Sequence, residues 1–112
     1  MAKLSVEAQH KLLHLKQEYI ASFPEKVNQL QTCWQKLESK KFAVNEINAL
    51  GTLLHKIAGS AGSHEIHDIH SAARSAEQIC KSAELMGVEM CRFKTDLKYS
   101  YERLIELLQA PA

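Results

Sequence analysis

His55 stands at the head of the segment His55-Lys56-Ile57-Ala58-Gly59-Ser60-Ala61-Gly62-Ser63. On a helical wheel of about 100° per residue its neighbours are Asn48, Gly51, Thr52, Gly59 and Gly62. Leu50, Leu54, Ile57 and Ala61 form a separate apolar stripe. Glycine in a helix interior costs about 1 kcal/mol relative to alanine, so exposed helical positions ordinarily carry Lys, Glu, Gln or Ala. Here three of the chain's four glycines share a face with one histidine. Such a face leaves the imidazole open to close approach by another protein. A free imidazole titrates near ~6.5, so a good part of it is neutral and nucleophilic at neutral pH. A ring nitrogen of that kind can attack phosphorus in line, and phosphoryl transfer asks for little more than positioning and charge. Lys56 and Ser60 are near in sequence and are candidates to offset or hydrogen-bond the added charge. The metal and the leaving carboxylate can reside on the partner. The bland alternative is a surface histidine on a glycine-weakened helix end.

A second histidine cluster competes for attention. His64, His67 and His70 are spaced i, i+3 and i+6 and could bind zinc. Pairs of them share a face, but the full set spreads over about 120° more of a helical turn. Cys80 falls on an apolar stripe and is badly placed as a fourth ligand. The expectation is therefore no metal site on this chain, and His10 and His14, spaced i, i+4, are discounted in the same way.

The elements that must position His55 follow from apolar periodicity. A first helix runs from Ser5, as N-cap, to Ala21, with the stripe Ala8, Leu12, Leu15 and Tyr19 widened by Leu13 and Ile20. Ser22-Phe23-Pro24 breaks and restarts the chain, because proline suits a first helical turn. A second helix carries Val27, Leu30, Trp34 and Leu37. A third opens at Val44 or Asn45 and carries Ile47, Leu50, Leu54, Ile57 or Ala58, and Ala61, with Gly59 to Ser63 as a fraying end. A fourth carries Ile66, Ile69, Ala73, Ala76, Ile79 and Ala83 and stops at Gly87. A fifth carries Phe93, Leu97, Tyr101, Leu104 and Leu108, and Pro111 lies beyond it. No segment alternates with period two. Amphipathic helices on short links bury their stripes on one another, so the expected fold is all-α, an antiparallel four-helix bundle with an additional N-terminal helix. Tyr19, Trp34 and Phe93 are expected in its core.

Composition bounds the rest. A chain of 112 residues fits a single domain, 1–112, and folds as one core without staples. Lys plus Arg is 14 and Asp plus Glu is 13, so no basic excess points to nucleic acid. Cys33, Cys80 and Cys91 are odd in number and widely spaced, which fits a reducing cytoplasm. No apolar run reaches the ~18 residues of a membrane span. Met1 to Lys16 is interrupted by Glu7, His10, Lys11 and His14 and does not read as a signal peptide. There is no P-loop of the ATP-binding kind and no catalytic triad, so the chain is not itself a kinase.

The stretch Leu54 to Gly62 resembles the His-x-Leu-x-Gly-Ser signature of the histidine-phosphotransfer (HPt) family. Ile69, Ala72-Ala73-Arg74 and Glu77 align with the family without a gap. The resemblance spans Leu50 to Gln78 by motif and the whole chain by helix order. It implies a phosphocarrier on a four-helix bundle, with His55 as the phosphorylated histidine and Gly59 as the glycine that permits docking. The implied partners are receiver domains of response regulators or hybrid sensor kinases. No cofactor of its own is implied, and Mg2+ is expected on the receiver. Gly51, Thr52 and Gly62 join Gly59 as the expected docking surface, on a monomer. In the family an acidic or amide residue on the next helix orients the imidazole; Glu77 falls at that position, with Gln78 as the neighbouring candidate. Glu77 also reads as an ordinary i, i+4 partner of Lys81.

Two departures accompany the match. Ala58 stands where many members carry Lys, and Lys56 replaces that charge only in part. Glu65 stands where the family usually has a glycine, with His64 before it where an aromatic is common. Met1 and the short tail favour a free-standing carrier over a piece of a hybrid kinase. The rival class is a bundle that only binds a partner helix or a metal.

Overall fold

Ser5 opens the first helix as expected: its hydroxyl accepts the Ala8 N–H at 3.1 Å and satisfies one of the unpaired amides of the first turn. The computed structural model describes residues 5–86 and 90–110, and the elements among them are all helices. They are α1 (Val6–Ala21), α2 (Phe23–Ser39), α3 (Val44–Ser63), α4 (His67–Met86) and α5 (Met90–Gln109). Gly87, Pro111 and the side chain of Cys91 lie outside the described residues. Ser22 keeps a right-handed backbone, so α1 and α2 meet at a bend, with Pro24 in the first turn of α2.

Helices α2 to α5 close a ring, each packed on two neighbours: α2 on α3 and α5, α3 on α4, and α4 on α5. The apolar stripes meet inside it. Leu30, Leu37, Leu50, Leu54, Ile57, Cys80, Leu97 and Leu104 are fully buried, and Trp34 stacks on Tyr101 at 4.4 Å. Phe93 is also in the core, edge-on to Phe42. On α4 the buried apolar positions are Ile69, Ala73, Ala76 and Cys80, while Ile79 and Ala83 are half-buried at the flank.

The N-terminal stripe departs from expectation. Tyr19 is buried and Ile20 half-buried, but Leu12, Leu13 and Leu15 are half-exposed or more. The long dimension of the molecule is 52 Å. A 20-residue helix spans only about 30 Å, and the excess is α1 running past the end of the ring. Its packed part is the end nearest α2, where Tyr19 is buried and Lys16 and Ile20 are half-buried. It contacts α2 and is pinned to α3 by the Tyr19 hydroxyl, 2.7 Å from Ser60 Oγ. His64 stacks on the Tyr19 ring at 4.5 Å.

The glycine-rich end of α3 does not fray; the helix is continuous to Ser63. It is closed by two bonds, Ile66 N–H to Ala61 O at 2.9 Å and Glu65 N–H to Gly62 O at 3.1 Å. This is the six-to-one, five-to-two pairing that demands a left-handed residue after the cap. Glu65 supplies it with φ 58°, a conformation that glycine adopts without strain. The same closure ends α2, where Lys41 has φ 54°. A left-handed L-residue costs on the order of 1 kcal/mol. Glu65→Gly is therefore expected to raise the melting temperature by about 2–5 °C, the gain being offset in part by the freer unfolded chain. A lower melting temperature in a thermal scan would show that the Glu65 side chain, not its backbone, matters to the turn.

Candidate functional site

His55 lies midway along α3 on the face turned away from the core, and its side chain is 73% exposed. Leu54 and Ile57 on the opposite side anchor the helix and so fix where the ring can go. Across the α3–α4 seam, Glu77 is nearly buried, with its side chain 7% exposed. Its Oε2 lies 2.8 Å from His55 Nδ1 and 3.2 Å from Lys81 Nζ. Gln78, the other residue considered for this position, is exposed on α4.

The charge state of Glu77 decides the tautomer of His55. Burial pushes the carboxyl up, but hydrogen bonds from His55 and Lys81, with the charges of Lys81 and His55, outweigh it. The net result lies below the ordinary carboxylate value. An ionised carboxylate only accepts, so Nδ1–H of His55 is the donor. The other ring nitrogen, Nε2, has no hydrogen-bond partner among the described residues and carries the free lone pair.

Because its folded-state value is depressed, Glu77 stabilises the fold above the unfolded carboxylate value near ~4.3, and this is lost as pH falls through the folded value. Melting temperature is accordingly expected to fall more steeply between pH 5 and 3, values near the carboxylate range of about 4, in the wild type than in Glu77→Gln. Parallel curves would mean that the His55 and Lys81 contacts add nothing to stability.

Asn48, Gly51, Thr52, His55, Glu77 and Lys81 line one open cleft of about 400 Å³. The glycines around it divide into two kinds. A Cβ on Gly59 would meet nothing within 4 Å, so this position is open surface one turn from His55. A Cβ on Gly51 would touch Cys80 Cβ at 3.5 Å, and one on Gly62 would press on His70 Nδ1 at 3.1 Å. Gly51 and Gly62 thus face α4 and let the two helices approach, a packing task that the wheel of one helix cannot reveal. Thr52 is exposed beside His55, its hydroxyl donating to Asn48 O at 3.0 Å.

The two residues first considered for charge compensation are placed elsewhere. Ser60 Oγ bonds back to Lys56 O and Ile57 O and pairs with Tyr19, so it serves the α1–α3 junction. Lys56 is exposed one residue on from His55, and adjacent helical positions do not face each other. Lys81 is the side chain that the sequence reading undervalued; the i, i+4 spacing to Glu77 was legible, but its place in the cleft was not.

The second histidine cluster is dispersed. His64 caps α3 against Tyr19, His70 Nδ1–H donates to Ala58 O at 2.7 Å, and His67 is exposed at the start of α4. Among the described residues no group of three His, Cys, Asp or Glu side chains is arranged to hold a metal ion. No helix among them is long and apolar enough to cross a membrane.

No curated protein and no solved structure gives a significant match to this chain. The family model described as the Hpt domain does match it, over residues 14–110. That span takes in the last turns of α1, the whole ring of helices and the His55–Glu77 pair, and on it the chain belongs to the Hpt domain family.

Proposed function

We propose that this protein relays a phosphoryl group between the aspartates of receiver domains, carrying it on Nε2 of His55. Histidine phosphotransfer in phosphorelays is the work of the family, whose domains are carriers rather than kinases and interact with receiver domains. The observation that supports His55 as the carrier is its geometry: Nδ1 tied at 2.8 Å to an ionised, nearly buried carboxylate, and Nε2 open to solvent.

In the forward step the Nε2 lone pair attacks the phosphorus of an aspartyl phosphate as the P–O bond to the aspartate carboxylate breaks. The carboxylate leaves on the receiver. His55 becomes an N-phosphoimidazolium whose Nδ1–H stays on Glu77, so the positive ring is paired with a carboxylate while it exists. In the second step the carboxylate of another receiver attacks the same phosphorus, the P–N bond breaks, and neutral His55 is restored. No proton is gained or lost over the cycle. A metal ion, Mg2+, is assigned to the receivers and not to this chain. The carrier acts as a monomer in the cytoplasm, and Thr52, Gly59 and the rim of the cleft meet the receiver, with Gly51 and Gly62 beneath them.

Mixing the protein with a phosphorylated receiver tests this reading. Acid-labile, base-stable phosphate is expected on the chain, with loss of phosphate from the receiver. A chain that remains unlabelled while the receiver only hydrolyses would leave a bundle that binds partners without carrying phosphate.

A further inference from the structure

The cleft beside His55 must accommodate a group with nearly two negative charges next to a carboxylate that is already ionised. Ala58 is buried, Lys56 points off the His55 face, and Ser60 is committed to Tyr19. Among the residues lining the cleft, Lys81 is the cation. We propose that Lys81 holds the phosphoryl group on His55, a role that rests on the phosphocarrier reading above.

Three features support it. The Lys81 ammonium and the His55 imidazole meet on one oxygen, Glu77 Oε2, at 3.2 and 2.8 Å. The ammonium is thus already beside the ring before any phosphate arrives. The Lys81 side chain is 63% exposed on a flexible four-carbon stem, so it can turn from the carboxylate to a phosphoryl oxygen without moving a helix. Finally, Glu77 places a negative charge where the phosphoryl group adds more. One lysine can serve both states, neutralising Glu77 in the empty carrier and the phosphoryl oxygens in the loaded one.

The consequence is kinetic. Hydrolysis of a phosphoimidazole passes through a loose transition state, in which charge leaves the phosphoryl oxygens for the departing ring. A cation on those oxygens favours the ground state and slows the loss. The competing explanation is that Lys81 is only the i, i+4 partner of Glu77 and acts by holding that carboxylate in place.

A small donor separates the two. Phosphoramidate loads His55 without a receiver: Nε2 attacks phosphorus, the P–N bond of the donor breaks, and ammonia leaves. The half-life of the phosphate is then followed in wild type, Lys81→Ala, Lys81→Arg, Glu77→Gln and the Glu77→Gln, Lys81→Ala double variant. For a largely exposed cation the expected loss in Lys81→Ala is roughly three- to fivefold in half-life. Arginine restores it, and the same fold-change appears in the Glu77→Gln background. An unchanged half-life in Lys81→Ala overturns the proposal, as does an effect that vanishes once Glu77 is Gln. Wild type that takes no phosphate at all overturns the phosphocarrier reading, and the Lys81 role with it.

Discussion

His55→Gln is expected to abolish phosphoryl acceptance while leaving the melting temperature within about 2 °C of the wild type, because surface substitutions usually fall within about 0.5 kcal/mol. The ring is 73% exposed, so little apolar area returns to water when it is replaced. What must be protected is Glu77, a nearly buried carboxylate that would otherwise lose one of its two donors. A glutamine amide can donate to it, whereas alanine cannot, and leaving a buried acceptor short costs about 1–3 kcal/mol. His55→Ala should therefore be equally inactive but measurably less stable. The pair of variants distinguishes the nucleophile from its structural contact. Loss of activity common to both belongs to the missing ring nitrogen, and loss of stability confined to Ala belongs to Glu77. Mass spectrometry after phosphoramidate loading gives the clearest readout. Phosphate on His10, His14, His64, His67 or His70 in either variant would reject His55 as the acceptor.

The ring of α2 to α5 was legible in the sequence because each stripe has the helical period and each finds a partner. Leu30, Leu37, Leu54, Leu97 and Leu104 needed no other information to be placed inside. Helix α1 shows where that reasoning stops. Leu12, Leu15 and Tyr19 have the same spacing, yet periodicity states only that a face is apolar, not that another element lies beside it. The site divides in the same way. The exposure of His55 and the openness of Gly59 are properties of one helix, and the wheel of α3 contains them. The tasks of Gly51, Gly62, Ser60 and Lys81 depend on what faces them from α1 or α4, and no single-helix pattern holds that. Glu77 is intermediate: alignment with the family singled it out, but the choice between Glu77 and Gln78 is a matter of about 100° of helical phase, which the packing of α4 sets.

Gly59→Gln is expected to move stability and transfer in opposite directions. Glycine in a helix interior is less favourable than glutamine by roughly 0.5–1 kcal/mol, and it also loosens the unfolded chain. A Cβ at Gly59 meets nothing within 4 Å, so the new side chain brings no clash to offset that gain. The melting temperature should stay equal or rise by about 2–5 °C. Transfer responds to something else. A receiver must bring its aspartyl phosphate to about 3–3.5 Å from Nε2 in line with the bond that breaks. Positions one turn apart have Cβ atoms about 5–6 Å from each other, so a glutamine at 59 stands within the footprint of any protein docked over His55. Displacing the receiver by even 1 Å lowers transfer by up to roughly a hundredfold, and bending the glutamine aside at a cost of about 1.4 kcal/mol lowers it roughly tenfold. Phosphoramidate needs no flat surface and should label Gly59→Gln at a rate within about twofold of wild type, since an added surface side chain changes little by itself. The three measurements together locate the docking face. An unfolded variant would mean that Gly59 serves helix packing, against the open space found there. Undiminished transfer from a receiver would mean that the partner approaches His55 from the cleft side, over Thr52 and Lys81, and that the α3 surface beyond His55 lies outside the interface.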